Sequence, residues 1–303
     1  MEMRHLRYFI AVAEEQHITR AAERLGMQQP PLSQQIKAIE RELDVQLFRR
    51  KPRGVELTEA GHTFLQHARN ITASLDQAFE AARRTARGEQ GKLRVGVTPT
   101  IPFNPFVPRV IRSFREAYPL ISLTLAEYNS GDLIELLRSE RIDAAFIRLN
   151  PAPADGLVAF LLMNEANVVA LPARHKLAGT GEDTSLTLRS LADETIIIQG
   201  GRLGMLADTI APFHAAGINP RIEEGPRLAS TLNLVAVGLG VSILPESLLQ
   251  RMHVDGVVYR RLKGRYLPVT PLKLASRRGD PSAVVRQFLN FVRQAAKRHP
   301  SSG

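Results

Sequence analysis

The first strong periodicity in the chain lies in residues 18–43, where apolar positions recur at intervals of three and four residues. Such spacing predicts two amphipathic helices, each with one apolar side. The apolar positions of the second helix are Leu32, Ile36, Ile39 and Leu43. Gly26 separates the two helices, because glycine readily adopts the left-handed backbone that ends a helix. Pro30 and Pro31 fit the first turn of the second helix, where a missing N–H is harmless.

The polar side of the second helix is left to face outward. In two-helix units of this kind, the N-terminal part of the second helix meets base edges in the DNA major groove. The candidate contacts are Gln28, Gln29, Pro30, Ser33, Gln34 and Lys37. The glutamines and the serine suit base edges, whereas Lys37 suits a phosphate. A solvated helix face is the alternative interpretation.

A basic segment follows at residues 48–57, where four cations surround Pro52 and Gly54 between two short apolar runs. This pattern predicts a β-hairpin, which we call the wing. A wing beside a recognition helix can lie on the DNA backbone and insert an arginine into the minor groove. We take Arg50 and Arg53 as the candidate contacts, with a solvated charge cluster as the alternative.

Apolar positions at alternating spacings of four and three continue through residues 58–88. Thr58 is placed to cap the start of this predicted helix, and Gly88 to end it. The apolar positions are Phe64, Ala68, Ile71, Leu75, Ala78 and Ala82. A helix of about 45 Å cannot bury a narrow seam against a small domain alone. We therefore predict that it pairs with a second copy of the chain.

Beyond residue 90, short apolar runs alternate with helical stretches, which predicts an α/β fold with a mostly parallel sheet. The predicted strands are 93–97, 122–127, 144–148, 168–171, 195–199 and 241–244, and the predicted helices 105–118, 131–140, 203–216 and 228–237. Breaks at residues 151–156 and 264–271 bracket a middle segment and predict two lobes joined by two crossings. Lobe I would comprise about 90–160 and 267–303, and lobe II about 161–266.

In such a fold, ligands bind at the loops that follow strands. The candidates there are Thr98, Thr100, Asn129, Ser130, Arg148, Gly201 and Arg202. Hydroxyls, a side-chain amide, guanidinium groups and helix N-terminal amides suit a carboxylate, and glycine lets a ligand approach the backbone. We therefore predict a small organic acid as effector and no cofactor. Helix capping or a turn is the alternative role for each, and Ser130 is equally suited to a cap.

Several motifs together resemble the winged helix-turn-helix of LysR-type transcriptional regulators. They are Arg-Tyr-Phe at 7–9, Ala-Ala-Glu-Arg-Leu at 21–25, Gln-Pro-Pro-Leu-Ser at 29–33, Gln-Leu-Phe at 46–48 and Leu-Thr-Glu-Ala-Gly at 57–61. The resemblance continues more loosely to the end of the chain, and it is strongest to the branch that responds to aromatic-degradation intermediates such as muconate and benzoate. That branch commonly has Arg at the position of Gln34, so we expect a different operator preference here.

The resemblance implies an α plus α/β architecture. Its parts would be a winged helix-turn-helix DNA-binding domain at 1–58, a dimerisation linker helix at 59–89, and a two-lobed effector domain like periplasmic binding proteins at 90–303. It further implies antiparallel pairing of linker helices, a homodimer that assembles into a homotetramer, and double-stranded promoter DNA as partner. An effector between the lobes would shift their closure and the bending of the DNA. RNA polymerase stays open as a further partner, as does activation versus repression.

Composition excludes several other classes of protein. The chain has 303 residues, of which 44% are hydrophobic, enough for two or more domains with separate cores. It has no cysteine, which excludes disulfides and thiolate chemistry. Without a secretory signal or an apolar run long enough for a membrane, we expect a cytoplasmic protein. No metal-ligand spacing of histidines and no catalytic triad is recognisable, so we predict no metal, no catalytic residue and no enzyme.

The net charge of +10 is no argument for DNA binding, because residues 1–90 carry 14 Lys and Arg against 12 Asp and Glu. The surplus lies beyond residue 90 and is densest at Arg251, Arg260, Arg261, Lys263, Arg265, Lys273, Arg277 and Arg278. We interpret this stretch as solvated surface, with a subunit contact or a second phosphate-contacting face as alternatives.

Residues 91–303 alone would also fit a solute-binding module, and an enzyme could use the same cleft. The N-terminal ninety residues favour the regulator, because a transport receptor would carry an export signal and no wing.

Overall fold

The computed structural model describes residues 1–148, 156–179, 185–199, 205–225 and 227–298. The chain divides into two compact units, Met1–Arg84 and Thr85–Gly303, and the boundary falls inside one long helix. Each unit has its own hydrophobic core.

The N-terminal unit contains the predicted helix pair and wing. Its elements are α1 (Met3–Glu15), α2 (Ile18–Arg24), α3 (Gln29–Leu43), β1 (Phe48–Lys51) and β2 (Gly54–Leu57). Gly26 adopts a φ of 65°, and the two prolines occupy the first turn of α3. Leu32, Ile36 and Ile39 are buried against Phe9 of α1 in one core. The predictions of a helix-turn-helix and a wing are therefore confirmed.

The long helix α4 (Glu59–Arg87) starts and ends as predicted. The Thr58 Oγ1 accepts a hydrogen bond from the Gly61 N–H at 2.9 Å, and Gly88 adopts a φ of 72°. The predicted seam, however, is divided between two partners. Phe64 and Ala68 pack into the core of the helix-turn-helix, whereas Ile71 is 48% exposed. The seam is thus available to a second copy only from about Ile71 onward.

The C-terminal unit is built from nine strands and five helices within the described ranges. They are β3 (Gly91–Val97), α5 (Phe106–Ala117), β4 (Ile121–Glu127), α6 (Ser130–Arg138), β5 (Ala144–Ile147), β6 (Leu157–Pro172), β7 (Thr195–Gln199), α7 (Met205–Ala215), β8 (Arg221–Gly225), α8 (Leu228–Ala236), β9 (Ser242–Pro245), β10 (Val257–Arg261), β11 (Val269–Arg277) and α9 (Ala283–Arg298). Short 3-10 helices occur at Ile101–Phe103, Leu188–Leu191 and Glu246–Leu248.

The strand directions differ from the predicted mostly parallel sheet. The main sheet has the order β10-β6-β11-β5-β3-β4, with β9 also on β6. Its parallel pairs are β3 with β4 and β3 with β5, whereas β6 and β11 form only antiparallel pairs. The prediction of a mostly parallel sheet was wrong for this reason. Polar residues interrupt β6 and β11, which hid these long strands from a search for apolar runs.

Two lobes share these long strands. Strand β6 pairs with β11 as far as Ala166 and with β9 from Asn167 onward, so the chain passes from lobe I to lobe II within one continuous strand. Lobe I has a core around Phe114, and lobe II has a core around Phe213. The chain returns to lobe I between β10 and β11.

The basic stretch of residues 251–278, which runs from lobe II into lobe I, is not simply solvated surface. Arg260 is 9% exposed, and its guanidinium donates to the carbonyl oxygens of Ala178 and Tyr259. Arg277 donates to the carbonyls of Leu137 and Ile142, at 2.9 and 2.7 Å. The interpretation as solvated surface was wrong for these two arginines, because their side chains are hydrogen-bonded to backbone carbonyls of other segments.

Candidate functional sites

The predicted DNA-contacting residues of α3 share one surface. Gln28, Gln29, Pro30, Gln34 and Lys37 are exposed, and Ser33 is half-buried. Gln28 stands at the N-cap but makes no capping hydrogen bond, so its amide stays available. The structure brings these residues together on the first three turns of α3, opposite the buried stripe.

The wing presents two cations that differ from their neighbours. Arg49 and Lys51 both form ion pairs with Glu56 across the hairpin. Arg50 and Arg53 are exposed and make no ion pair with any described residue. These are the two arginines that the sequence singled out, and their charges remain free for an external phosphate or minor groove.

A second candidate site lies where the parallel strands of lobe I end. Thr98 follows β3, Asn129 comes after β4, and Arg148 follows β5, so the three loops meet at one edge of the sheet. Thr98, Thr100 and Arg148 are buried polar residues at this edge. The loops that carry Thr98, Asn129 and Arg148 thus share one edge, the arrangement expected of a ligand crevice in an α/β fold.

Arg148 is the most deeply buried cation of this edge, with 2% exposure. Its Nη2 donates to Glu165 Oε2 at 2.8 Å, but its Nε and Nη1 have no hydrogen-bond partner among the described residues. The hydroxyls of Thr98 and Ser247 are buried and unpartnered in the same sense. Buried donors without acceptors are costly, and such groups mark a place for a ligand, an ion or water.

Glu165 connects the two lobes at this point. Its carboxylate accepts hydrogen bonds from Arg148 and from Asn104 Nδ2 in lobe I, the latter at 3.0 Å. It also accepts the backbone N–H of Ser247 in lobe II at 2.8 Å. A cavity of about 20 Å³ beside Arg148 is lined from lobe II by Thr209 and Ile243. The described side chains therefore leave room for about one water molecule there.

Burial and charge oppose each other in this ion pair. Burial raises the pKa of Glu165, but the charge of Arg148 and the hydrogen bonds to the carboxylate outweigh it, so the pKa lies below its ordinary value. Burial lowers the pKa of Arg148, against the attraction of Glu165. Each group holds its partner in the charged form.

The other predicted effector contacts lie either at a helix N-terminus or outside the described residues. Asn129 is the N-cap of α6, since its Oδ1 accepts the Asp132 N–H at 2.9 Å, and Ser130 is the first helical residue. The capping role that is the alternative for Ser130 thus belongs to Asn129. Gly201 and Arg202 lie outside the described residues.

Sequence reasoning missed Glu165, which pairs with Arg148, and also Asn104 and Ser247, which donate to the Glu165 carboxylate. Glu165 sits in a stretch of β6 that was not predicted as a strand. An isolated acid within a mostly apolar segment was the available signal, because buried acids require a partner.

The described residues contain no group of three or more His, Asp or Glu side chains suited to a metal ion. Within the same ranges, every helix is too short or too polar to cross a membrane.

The fold and both surfaces define a regulatory protein with a DNA-reading head and a two-lobed sensor. The model of the bacterial regulatory helix-turn-helix proteins of the lysR family matches residues 3–62, and that of the LysR substrate binding domain matches residues 86–297. The chain belongs to the LysR family. It is a DNA-binding transcriptional regulator with an effector-binding domain.

Known transcriptional regulators are similar in sequence to this chain over nearly its full length. The transcriptional regulator BudR of Raoultella terrigena is 35% identical over 297 residues, covering 96% of this chain and 100% of BudR. BenM of Acinetobacter baylyi is 35% identical over 298 residues, covering 97% and 96%. The crystal structure of the LysR family regulator CbnR matches with a TM-score of 0.83 at 30% identity, covering 97% of this chain and 100% of CbnR. A structure of full-length CbnR with its target DNA matches at 0.80, with 30% identity and coverage of 98% and 100%. These relatives are transcriptional regulators and not enzymes, which confirms the predicted class.

Proposed function

We propose that the chain is a regulator of promoter DNA whose effector is a small organic acid bound between the lobes at Arg148. The observation that carries this proposal is the buried Arg148 guanidinium, which has two nitrogens without a partner among the described residues. A carboxylate would supply the acceptors that these donors lack, at charge-assisted strength. Because its target is DNA, we assign the regulator to the cytoplasm.

The position of Arg148 explains how an anion would act on the fold. Arg148 belongs to lobe I, whereas Thr209, which lines the same cavity, and Ser247, which binds the partner Glu165, belong to lobe II. A ligand larger than the present cavity can enter only if the lobes separate or rearrange. Its binding energy would then favour one arrangement of the lobes over another.

DNA contact is proposed for the exposed face of α3 and for Arg50 and Arg53 of the wing. A similar full-length regulator, CbnR, has a structure in complex with its target DNA, which supports DNA binding by a chain of this fold. The half-buried Ser33 and the glutamines around it would read bases, and the free cations would meet the backbone or the minor groove.

Self-association is proposed through the second half of α4. Ile71 and Phe79 are 48% and 52% exposed, although large apolar side chains at helical spacing normally find a partner. A second copy of the same helix offers the same stripe, so a homodimer buries both. Assembly of such dimers into a homotetramer is part of this proposal.

A thermal-shift titration of the full chain tests the effector class. Benzoate and muconate serve as carboxylate probes, and benzamide is the uncharged counterpart of benzoate. We expect a carboxylate to raise the unfolding temperature progressively once its concentration exceeds the dissociation constant, whereas benzamide should not. The Thr98→Val variant, which removes one unpartnered hydroxyl, should need a higher concentration for the same shift.

No stabilisation by any acid in a wider panel of aromatic and dicarboxylic acids would contradict the carboxylate effector. Equal stabilisation by benzoate and benzamide would contradict the role of the Arg148 charge. Neither result would contradict the DNA-binding assignment, because a gel-shift titration with promoter DNA tests that assignment separately.

A further inference from the structure

The wing is too small to hold its own shape. Its strands β1 and β2 have four residues each, joined through the Lys51 to Gly54 pair by a two-residue turn. An isolated two-stranded hairpin of this size is at best marginally stable in water. Something outside the hairpin must therefore fix the position of Arg53 in the turn.

One anchor comes from the recognition helix itself. Glu40, on α3, accepts the backbone N–H of Leu47 at 2.8 Å and that of Phe48 at 3.0 Å, both through Oε1. Leu47 is 1% exposed, and Phe48 is the first residue of β1. The side chain of Glu40 thus binds the base of the wing to the helix that carries Ser33 and Gln34.

A second anchor comes from the turn between α1 and α2. The Val55 N–H donates to the Gln16 carbonyl at 2.9 Å, and Gly54 lies against the same carbonyl with a φ of 132°. A Cβ at Gly54 would collide with that oxygen. Glycine is required here by both the close approach and the positive φ.

We propose that Glu40 and Gly54 are positioning residues for DNA recognition, which set the wing arginines at a fixed place relative to the base-reading face of α3. Neither residue is assigned a DNA contact of its own. The inference rests on the proposed wing contact of Arg50 and Arg53, and it adds that this contact and base reading depend on each other through one side chain.

The negative charge of Glu40 and its hydrogen bonds to the wing have opposite effects on DNA affinity, so a substitution of Glu40 separates them. Glu40→Ala removes a negative charge from the DNA-binding unit, and charge alone predicts tighter binding to DNA. Loss of the anchor predicts the opposite sign, namely weaker binding to operator DNA by about tenfold. Glu23→Ala is the matched control, because Glu23 is an exposed acid on α2 without an ion pair in the described part of the chain. Its removal should leave operator binding unchanged or slightly tighter.

The conservative variant separates anchoring from charge. Glu40→Gln keeps an oxygen that can accept both N–H groups, so it should recover most of the operator affinity that Glu40→Ala loses. Gly54→Ala should weaken operator binding in the same way as Glu40→Ala. Circular dichroism and the unfolding temperature of each variant establish that the unit is folded.

Hydrogen exchange measures, in the absence of DNA, whether Glu40 holds the base of the wing. The amides of Leu47 and Phe48 should lose protection in Glu40→Ala and keep it in Glu40→Gln and Glu23→Ala. A folded Glu40→Ala variant with unchanged protection and operator affinity within about twofold of the parent chain would overturn the proposal.

The Arg53→Ala variant distinguishes failure of the proposed Glu40 anchor from failure of the proposed contact between the wing and DNA. If Arg53→Ala leaves operator affinity and salt dependence unchanged, the proposed wing contact is wrong, while the exchange experiment still decides the anchor. If Arg53→Ala weakens binding and Glu40→Ala does not, the contact stands and the anchor is overturned.

Discussion

The two units of this regulator use arginine in opposite ways. In the N-terminal unit, Arg50 and Arg53 are exposed and free of any acid among the described residues. In the effector unit, Arg148 is 2% exposed and is held by Glu165 at 2.8 Å. An exposed arginine suits DNA, whose phosphates carry negative charge and release counterions on binding. A buried arginine instead needs an acidic side chain of the same fold to compensate for its lost hydration. Removal of a charge at the surface should therefore lower the free energy of unfolding only slightly, whereas removal of a charge in the cleft should lower it strongly.

Glu165→Ala is expected to show the largest effect, because it leaves the Arg148 guanidinium buried without a counter-charge. The effector unit should lose about 3–5 kcal/mol of unfolding free energy, measured by urea denaturation of the full chain. Glu246→Ala is the control, since it breaks the exposed pair with Arg261 at 2.7 Å and should cost no more than about 1 kcal/mol. Similar costs for the two variants would remove the contrast between buried and exposed charge.

Phe79→Asp is expected to weaken self-association by about 2 kcal/mol or more, because it places a charge in the apolar stripe of both copies. Sedimentation equilibrium measures the change in the dissociation constant. Gln77→Asp introduces the same charge on the other side of α4 and should leave association intact. If both variants associate like the parent chain, the dimer does not use the exposed half of α4.

The double variant Gln29→Ala with Ser33→Ala is expected to weaken operator binding by about 1–3 kcal/mol for each base that the two side chains read. Binding to random DNA should hardly change, because these side chains are assigned to bases and not to phosphates. Competition gel shifts with operator and random duplexes measure both. Equal losses on the two duplexes would show that this face of α3 does not read sequence.

Lys37→Ala is expected to have a smaller and less specific effect. Without the ammonium group on a phosphate, the slope of log affinity against log salt should fall by about 1, equally for operator and random DNA. Lys92→Ala removes an exposed cation from β3 in the effector unit and should leave the slope unchanged. A change confined to one operator sequence would instead make Lys37 a base reader.

Mild acidification is expected to change stability least. The pKa values of Asp143, Glu165 and Glu194 in the effector unit are lowered, as is that of Glu14 in the N-terminal unit. A carboxylate with a lowered folded pKa stabilises the fold above its unfolded pKa, about 4, and this contribution is lost as the pH falls through the folded pKa. Unfolding free energy, followed by urea denaturation at each pH, should be flat between neutral and mildly acidic pH and should then fall more steeply for the effector unit. An equal fall in both units would contradict the contrast between them.

The sequence was sufficient for most of the DNA-binding unit. There, the pattern of Leu32, Ile36 and Ile39, the break at Gly26 and the cations of the wing all have local causes. Helix periodicity, caps and turn residues act over a few positions, so they can be read directly from the order of residues. The same rules located Thr58 as a cap and Gly88 as the end of α4.

The effector unit followed the sequence less closely, because its chemistry is made by residues far apart in the chain. Arg148 could be singled out from its place after a strand, but not its pairing with Glu165 or the link from Glu165 to Ser247. These contacts depend on β6 running antiparallel beside β11, and that pairing was not predicted. The register of strands distant in sequence depends on the whole sheet, which local patterns do not encode.

By itself, then, the sequence determined that this protein has a winged DNA-reading head, a long amphipathic helix and an α/β sensor. Short-range periodicity and steric preference suffice to specify such elements. Only the tertiary structure decided which charges are free and which are bound. Arg49 is paired, whereas Arg50 has no ion-pair partner in the described part of the chain, and Arg148 is buried against an acid from another strand. Burial and proximity set the free energy of a charge, and both are properties of the folded chain.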